Sequence, residues 1–142
     1  MTTQPQGAVQ RYAANAHLYF ENALEFLQRE EAGKAGELLW GSVAEALQAI
    51  AAYRGLKLAN HRSLRFFANA IAKEHSDSSI AQAFRAAESL HANFYEVDLE
   101  PQDIASVLEP IRELLDKLLS SIPEAVLAEA PPQGQSSTPT EG

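Results

Sequence analysis

Apolar residues along this chain recur every three or four positions, in stretches separated by short polar segments. The first stretch covers about residues 8–31 and the second about 34–54, and the glycines Gly33 and Gly55 follow them. This spacing is typical of helices with one buried face, and glycine is well suited to end a helix. Only about two residues separate the two helices, so we expect an antiparallel hairpin.

Three further stretches have the same spacing, over about residues 62–75, over 78–95, and from Pro101 past residue 118. Pro101 suits the first turn of its helix, where its missing N–H has no partner to lose. Pro110 lies inside the same helix and is expected to kink or split it. Windows rich in β-branched and aromatic residues are few, so strands have little support. We therefore predict an all-α fold, an up-and-down antiparallel bundle of about five helices.

The 142 residues correspond to one domain. We place the helical domain at residues 8–122, between a disordered N-terminus, 1–7, and a mostly disordered tail, 123–142, which is rich in Pro, Gly, Ser, Thr and Gln. No signal peptide and no membrane-spanning apolar run is recognisable. The chain has no cysteine, which excludes disulfides and thiolate zinc sites. We expect a cytoplasmic protein that does not bind membranes.

The net charge of −8 argues against a general nucleic-acid coat, because phosphate backbones favour basic surfaces. However, residues 54–73 hold five of the eleven basic residues and no carboxylate. The candidate anion-binding residues in and around this segment are Arg54, Lys57, His61, Arg62 and Arg65. The alternative is an ordinary solvated helix face.

Arg85 and His91 are the sharpest candidates for chemistry. An imidazole can act as general base or acid near neutral pH, and a guanidinium can hold a phosphate. Together they suit cleavage of a phosphodiester that carries a 2′-hydroxyl. On a straight helix the two side chains point about 120° apart, so they would meet only in a groove spanning both faces or across a dimer axis. Alternatively, His91 is a packed residue of the apolar stripe and Arg85 pairs with Glu88.

Other catalytic signatures are missing from the sequence. No two histidines have the i, i+4 spacing with a helper carboxylate that a helical zinc site uses, so we expect no metal. There is no glycine-rich phosphate loop and no Gly-x-Ser-x-Gly motif, and we expect no cofactor. The helical spacing of the aromatic residues, Trp40 among them, favours packing in the core over stacking on bases.

Three segments resemble a known family: AHLYFENA at 16–23, ELLWGSVAEA at 37–46 and LHANFYE at 90–96. Over about residues 10–120 the chain resembles a HEPN domain (higher eukaryotes and prokaryotes nucleotide-binding), of the PaREP-type archaeal and bacterial branch. The resemblance implies a helical bundle that often dimerises. Many HEPN proteins are metal-independent ribonucleases of toxin or defence systems, and others bind nucleotides or only mediate assembly.

The catalytic motif of those ribonucleases is an arginine and a histidine separated by four to six residues, and five residues separate Arg85 from His91. The resemblance therefore implies that these two residues are catalytic, with Glu88, Asn93 and Tyr95 as accessory polar groups. Ala86 departs from the motif, because the family usually has a polar residue directly after the arginine.

Two functions of different classes follow as hypotheses. In the first, the chain is a HEPN-like homodimer that binds RNA or a nucleotide and cleaves RNA. In the second, it is a non-catalytic helical dimer or adaptor in which the His91 segment is structural. A less favoured role is that of partner to a small nucleotidyltransferase.

Overall fold

Six α-helices form the structure, a computed structural model that describes residues 5–93 and 99–128. In chain order they are α1 Pro5–Gln28, α2 Ala32–Tyr53, α3 His61–Glu74, α4 Ser78–Asn93, α5 Pro101–Ser120 and α6 Glu124–Ala128. The described ranges contain no strand, so the predicted all-α bundle is confirmed. Two helices enter the segments that we assigned to the termini: α1 begins at Pro5, and α6 lies inside 123–142.

The second helix is the centre of the bundle. It packs along α1 as an antiparallel hairpin and also contacts α3, α4 and α5, whereas α6 lies against α1. Its buried side chains recur at the spacing of one helical face and include Leu39, Val43, Leu47 and Ile50. Because α2 contacts both α3 and α4, its side chains can join residues from these two helices in one cluster.

The turn between α1 and α2 differs from the prediction. We expected Gly33 to end α1, but Gly33 lies inside α2, and the residue in the left-handed region is Glu30, with a φ of 61°. The amide of Glu31 donates to the carbonyl of Phe26, as in a Schellman motif. The earlier ending lets α2 begin at Ala32, which is buried. Gly55, with a φ of 74°, follows α2 as predicted.

Polar contacts fix the start of α3 and of α4. Asn60 caps α3 through a reciprocal pair of hydrogen bonds with Ser63, which makes His61 the first helical residue. Asp77 accepts hydrogen bonds from Ser79 at the start of α4 and from Lys117 of α5. Lys117, and then Ser79, lower the pKa of Asp77 to about 2. These contacts fix the first turn of α3 and tie the start of α4 to α5.

The fifth helix is continuous through Pro110, so the predicted split does not occur. Pro110 is exposed, and the apolar residues on either side of it, Ile104 and Ile111, are fully buried. Burial of this face offsets the hydrogen bond that proline cannot donate. Within the described residues, no helix combines the length and apolar character that crossing a bilayer requires.

Candidate functional site

Trp40 of α2 is the base of a cluster that brings two histidines together. Its indole stacks with the imidazole of His61, with ring centroids 4.7 Å apart, and with that of His91, at 5.6 Å. The two imidazole centroids are 5.7 Å apart. If the indole lay between the imidazoles, they would be nearly twice as far from each other. Both histidines therefore lie side by side on the same face of Trp40.

His91 is held in a defined orientation by Glu37. The Nδ1 atom of His91 is 2.9 Å from Oε2 of Glu37. A carboxylate only accepts hydrogen bonds, so the proton of neutral His91 lies on Nδ1 and Nε2 keeps its lone pair. Nε2 has no hydrogen-bond partner among the described residues. The His91 side chain is 35% exposed, so solvent can reach it.

His91 is not part of the buried face of α4. Leu90 takes the buried position after Ala87, and His91 lies at the edge of the apolar face. We expected His91 to occupy a buried position of α4, but Leu90, one residue earlier, occupies that position. The imidazole packs on α2 through one side and faces solvent through another.

The second histidine has its own carboxylate. Nε2 of His61 is 2.7 Å from Oε2 of Glu88, and the same oxygen accepts two hydrogen bonds from Arg65, at 3.0 and 2.7 Å. Burial of Glu88 favours its neutral form, but the hydrogen bonds from Arg65 and His61 together outweigh burial and lower the pKa of Glu88. Glu88 is thus an ionised anchor between α3 and α4.

The lowered pKa of Glu88 predicts an acid-dependent loss of stability. The contribution of Glu88 is complete above its pKa in the unfolded chain, about 4.3, and is lost as the pH falls through the lower folded-state value. We expect Glu88→Gln to reduce the free energy of unfolding by about 1–2 kcal/mol near neutral pH, and wild type and variant to converge once the pH is below the folded-state pKa of Glu88. Urea unfolding across this pH range measures both effects.

Glu113→Gln on α5 is the matched control, because Glu113 is exposed and forms no ion pair within the described residues. We expect it to shift stability by less than about 0.5 kcal/mol at every pH. A Glu88→Gln effect that stayed constant down to the acid limit would contradict the assigned role of the carboxylate.

Arg85 lies on the exposed side of α4 and opens onto the same surface as His61. A depression of about 370 Å³ is lined by Arg85, His61, Arg65, Glu88, Ser89 and Ala92. Glu88 is bound to α3, so the alternative Arg85–Glu88 pair does not form, and Arg85 has no ion pair in the described part of the chain. His91 does not line the depression. The residue that connects Arg85 with His91 is therefore His61.

The predicted anion-binding residues divide into two groups. His61 and Arg65 line the depression. Arg54 instead binds Glu74, at the far end of α3, through two hydrogen bonds, and Arg62 lies over the ring of Phe66.

Of the remaining predicted site residues, Lys57 is exposed in the α2–α3 connector. Asn93 is the last residue of α4, but its side chain lies outside the described residues, as does Tyr95. Among the described side chains, no three histidines or carboxylates group so that they could hold a metal ion.

Glu37 is a functional candidate that the sequence analysis missed, and Trp40 is one that it assigned to core packing. Both lie in the ELLW segment, three positions apart, and therefore on one face of α2. Their partners are 21 and 54 positions away along the chain. The helical pattern identifies the shared face, but it gives no information about which histidine reaches it.

Comparison with known proteins identifies the family. A model of the archaeal PaREP1/PaREP8 family matches residues 11–115, which is most of the chain. The chain belongs to the archaeal PaREP1/PaREP8 family. The match includes every described residue of the histidine cluster. No curated protein matches the sequence.

The PaREP1/PaREP8 chain also resembles a solved structure. The crystal structure of a Sulfolobus solfataricus protein superposes with a TM-score of 0.67 at 22% sequence identity, over 75% of this chain and 95% of that one. At this identity the likeness shows a shared helical fold. A shared fold does not by itself carry a function, which depends on the side chains of the PaREP1/PaREP8 chain.

Proposed function

We propose that this chain is a HEPN-like protein that binds RNA and cleaves it without a metal ion, with His91 and Arg85 as catalytic residues. The observation that carries the proposal is the contact of His91 with Glu37: it favours a proton on Nδ1 and leaves Nε2, on a partly exposed side chain, with no described partner. A carboxylate that orients a histidine, and so fixes which ring nitrogen keeps its lone pair, supports general-base catalysis.

The chemistry assigned to these residues is an internal transfer at phosphorus. Nε2 of His91 takes the proton of the ribose 2′-hydroxyl, and the 2′-oxygen then forms a bond to phosphorus. The bond from phosphorus to the 5′-oxygen breaks, which gives a 2′,3′-cyclic phosphate and a 5′-oxygen that becomes a hydroxyl once it takes a proton. The guanidinium of Arg85 stabilises the charge that develops on the phosphoryl oxygens. Because Arg85 forms no ion pair in the described ranges, it can bind phosphate without losing a protein partner.

The site also explains how an acidic protein could bind a polyanion. Glu88 is neutralised by Arg65 and His61, so the depression beside Arg85 carries no unpaired carboxylate among its lining residues. Negative charge elsewhere on the chain repels RNA, so we expect RNA binding to be weak and to depend on the salt concentration.

The direct test is incubation of the purified protein with labelled single-stranded RNA and with DNA of the same sequence, in the presence of EDTA. We expect cleavage of RNA to continue in EDTA and to leave 2′,3′-cyclic phosphate ends. DNA should stay intact because it lacks the 2′-hydroxyl. Absence of RNA cleavage by wild type over a broad set of sequences, salt concentrations and pH values would overturn the proposal.

Arg85→Ala tests the arginine. We expect kcat on RNA to fall by about 10²–10³-fold, as when a preorganised donor to the transition state is removed. Arg11→Ala is the matched control, because Arg11 is exposed on α1 next to Gln10, which contacts α6 rather than the cluster. Equal losses in the two variants would show that net charge, rather than Arg85 itself, limits the reaction.

The homodimer and the non-catalytic adaptor remain predictions. A dimer axis was one way to bring an arginine and a histidine of one helix together. His61 offers another within one chain, because it touches both the Arg85 depression and the His91 ring.

A further inference from the structure

The imidazole pair has one member that the proposed reaction leaves without a role. His61 is on α3, 30 positions before His91, and falls outside the Arg85–His91 motif. The two rings nevertheless share one face of Trp40, with centroids 5.7 Å apart, and their side chains are similarly exposed, at 38% and 35%. A purely structural histidine needs neither this exposure nor a neighbouring imidazole.

The reaction itself lacks a proton donor. The 5′-oxygen departs as an alkoxide unless an acid protonates it, and an alkoxide is a poor leaving group. An acid and a base that serve one phosphodiester must each come within about 2.6–3.2 Å of their own oxygen. Two rings at 5.7 Å are near enough for each to reach a different oxygen of the same phosphate.

The geometry points to His61 as a second catalytic residue, the general acid that protonates the leaving 5′-oxygen while His91 acts as the base. This inference rests on the proposed ribonuclease function and deepens it. Doubly protonated His61 keeps its Nε2 proton, which it donates in a hydrogen bond to the carboxylate of Glu88, and transfers its Nδ1 proton to the departing oxygen. His91 gains one proton and His61 loses one, so the step balances without an oxidant or a further reactant.

The surrounding residues have matching tasks. Glu37 and Glu88 are positioning residues, because each holds one ring nitrogen and leaves the other for proton transfer. Trp40 sets the spacing of the two rings. Arg85 lies beside the acid rather than the base, since it lines the depression with His61. The phosphoryl oxygens would then lie on the His61 side of the site.

A pair of substrates separates the acid from the base. A dinucleotide such as uridylyl-adenosine has an alkoxide leaving group that needs a proton. Uridine 3′-(4-nitrophenyl phosphate) releases a stable phenolate that needs none. For His61→Ala we expect a loss in kcat of about 10²–10⁴-fold on the dinucleotide and less than about tenfold on the nitrophenyl ester. For His91→Ala we expect large losses on both substrates.

Two further variants test whether misfolding, or the loss of any imidazole near α3, explains the result. His61→Gln keeps a donor that can bind Glu88 but removes the transferable proton, so it should reproduce the His61→Ala pattern if folding is unaffected. His75→Ala, at the other end of α3, removes an exposed imidazole from the same helix and should leave both rates unchanged. Circular dichroism and thermal melting verify that each variant is folded.

The outcomes distinguish the two claims. Suppose that wild type cleaves both substrates, but His61→Ala and His61→Gln lose both rates equally or lose neither. His61 is then not the acid and the inference is overturned, whereas the ribonuclease proposal survives. If wild type cleaves neither these two substrates nor any of the RNA sequences, the proposed function fails and the role of His61 fails with it.

Discussion

Replacement of His91 by alanine will reduce RNA cleavage by about 10²–10⁴-fold, the range typical of losing a general base. The loss should appear in kcat rather than in KM, because Nε2 acts on the transferring proton and contributes little to holding the phosphate. Folding should be affected much less. The imidazole is 35% exposed and forms one described hydrogen bond, to Glu37. We expect the melting temperature to change by no more than a few degrees.

His17→Ala is the matched control for this experiment, because His17 is an exposed histidine of α1. It should cleave RNA at the wild-type rate. The non-catalytic alternative makes the opposite prediction: His91→Ala would lower the melting temperature strongly, and any change in RNA turnover would follow the unfolded fraction. Steady-state rates and melting curves on the same samples decide between the two.

Replacement of Phe84 by alanine will destabilise the protein by about 3–5 kcal/mol, the range for deleting a buried phenyl ring. Phe84 is 1% exposed on α4 and makes an edge contact with Trp40, at a centroid distance of 5.5 Å. Its loss leaves a cavity beneath the indole that carries both imidazoles. We therefore expect urea unfolding to show the full stability loss, and RNA cleavage to decrease even at temperatures where the variant is still folded.

Phe66→Ala is the control, because it deletes an exposed phenyl ring where Phe84→Ala deletes a buried one. Phe66 is 62% exposed on α3, where Arg62 lies over its ring. Its removal should change the free energy of unfolding by less than about 0.5–1 kcal/mol. Similar losses for Phe84→Ala and Phe66→Ala would contradict the described core.

The helices could be predicted from sequence because each depends on a local pattern. The apolar spacing of α2 and α5 gives their existence and their buried faces directly. The residues at which the helices begin and end are harder to predict from sequence, since they depend on packing. Glu30 takes the left-handed turn in place of Gly33, at a cost of about 1 kcal/mol, because Ala32 is then buried in α2. Pro110 fails to split α5 for a related reason: the buried isoleucines around it hold the helix together.

The site was predictable only in part. Arg85 and His91 stand out because they share a helix and a motif spacing. The alternative in which Arg85 pairs with Glu88 is wrong because Glu88 binds His61 and Arg65 of α3, which sequence spacing within α4 cannot reveal. His61 was assigned to a basic surface for its neighbours in the chain. Its contact with His91 arises from α2 packing against both α3 and α4.

The indole that stacks with the two imidazoles also allows the cluster to be followed by intrinsic fluorescence. Trp40 is the only tryptophan in the chain, so all indole emission from this protein originates at the proposed site. A nucleotide that moves or protonates either stacked ring changes the surroundings of that one fluorophore. Ligand titrations therefore need no label, and the emission of every variant described above gives a readout of ring stacking that does not depend on turnover.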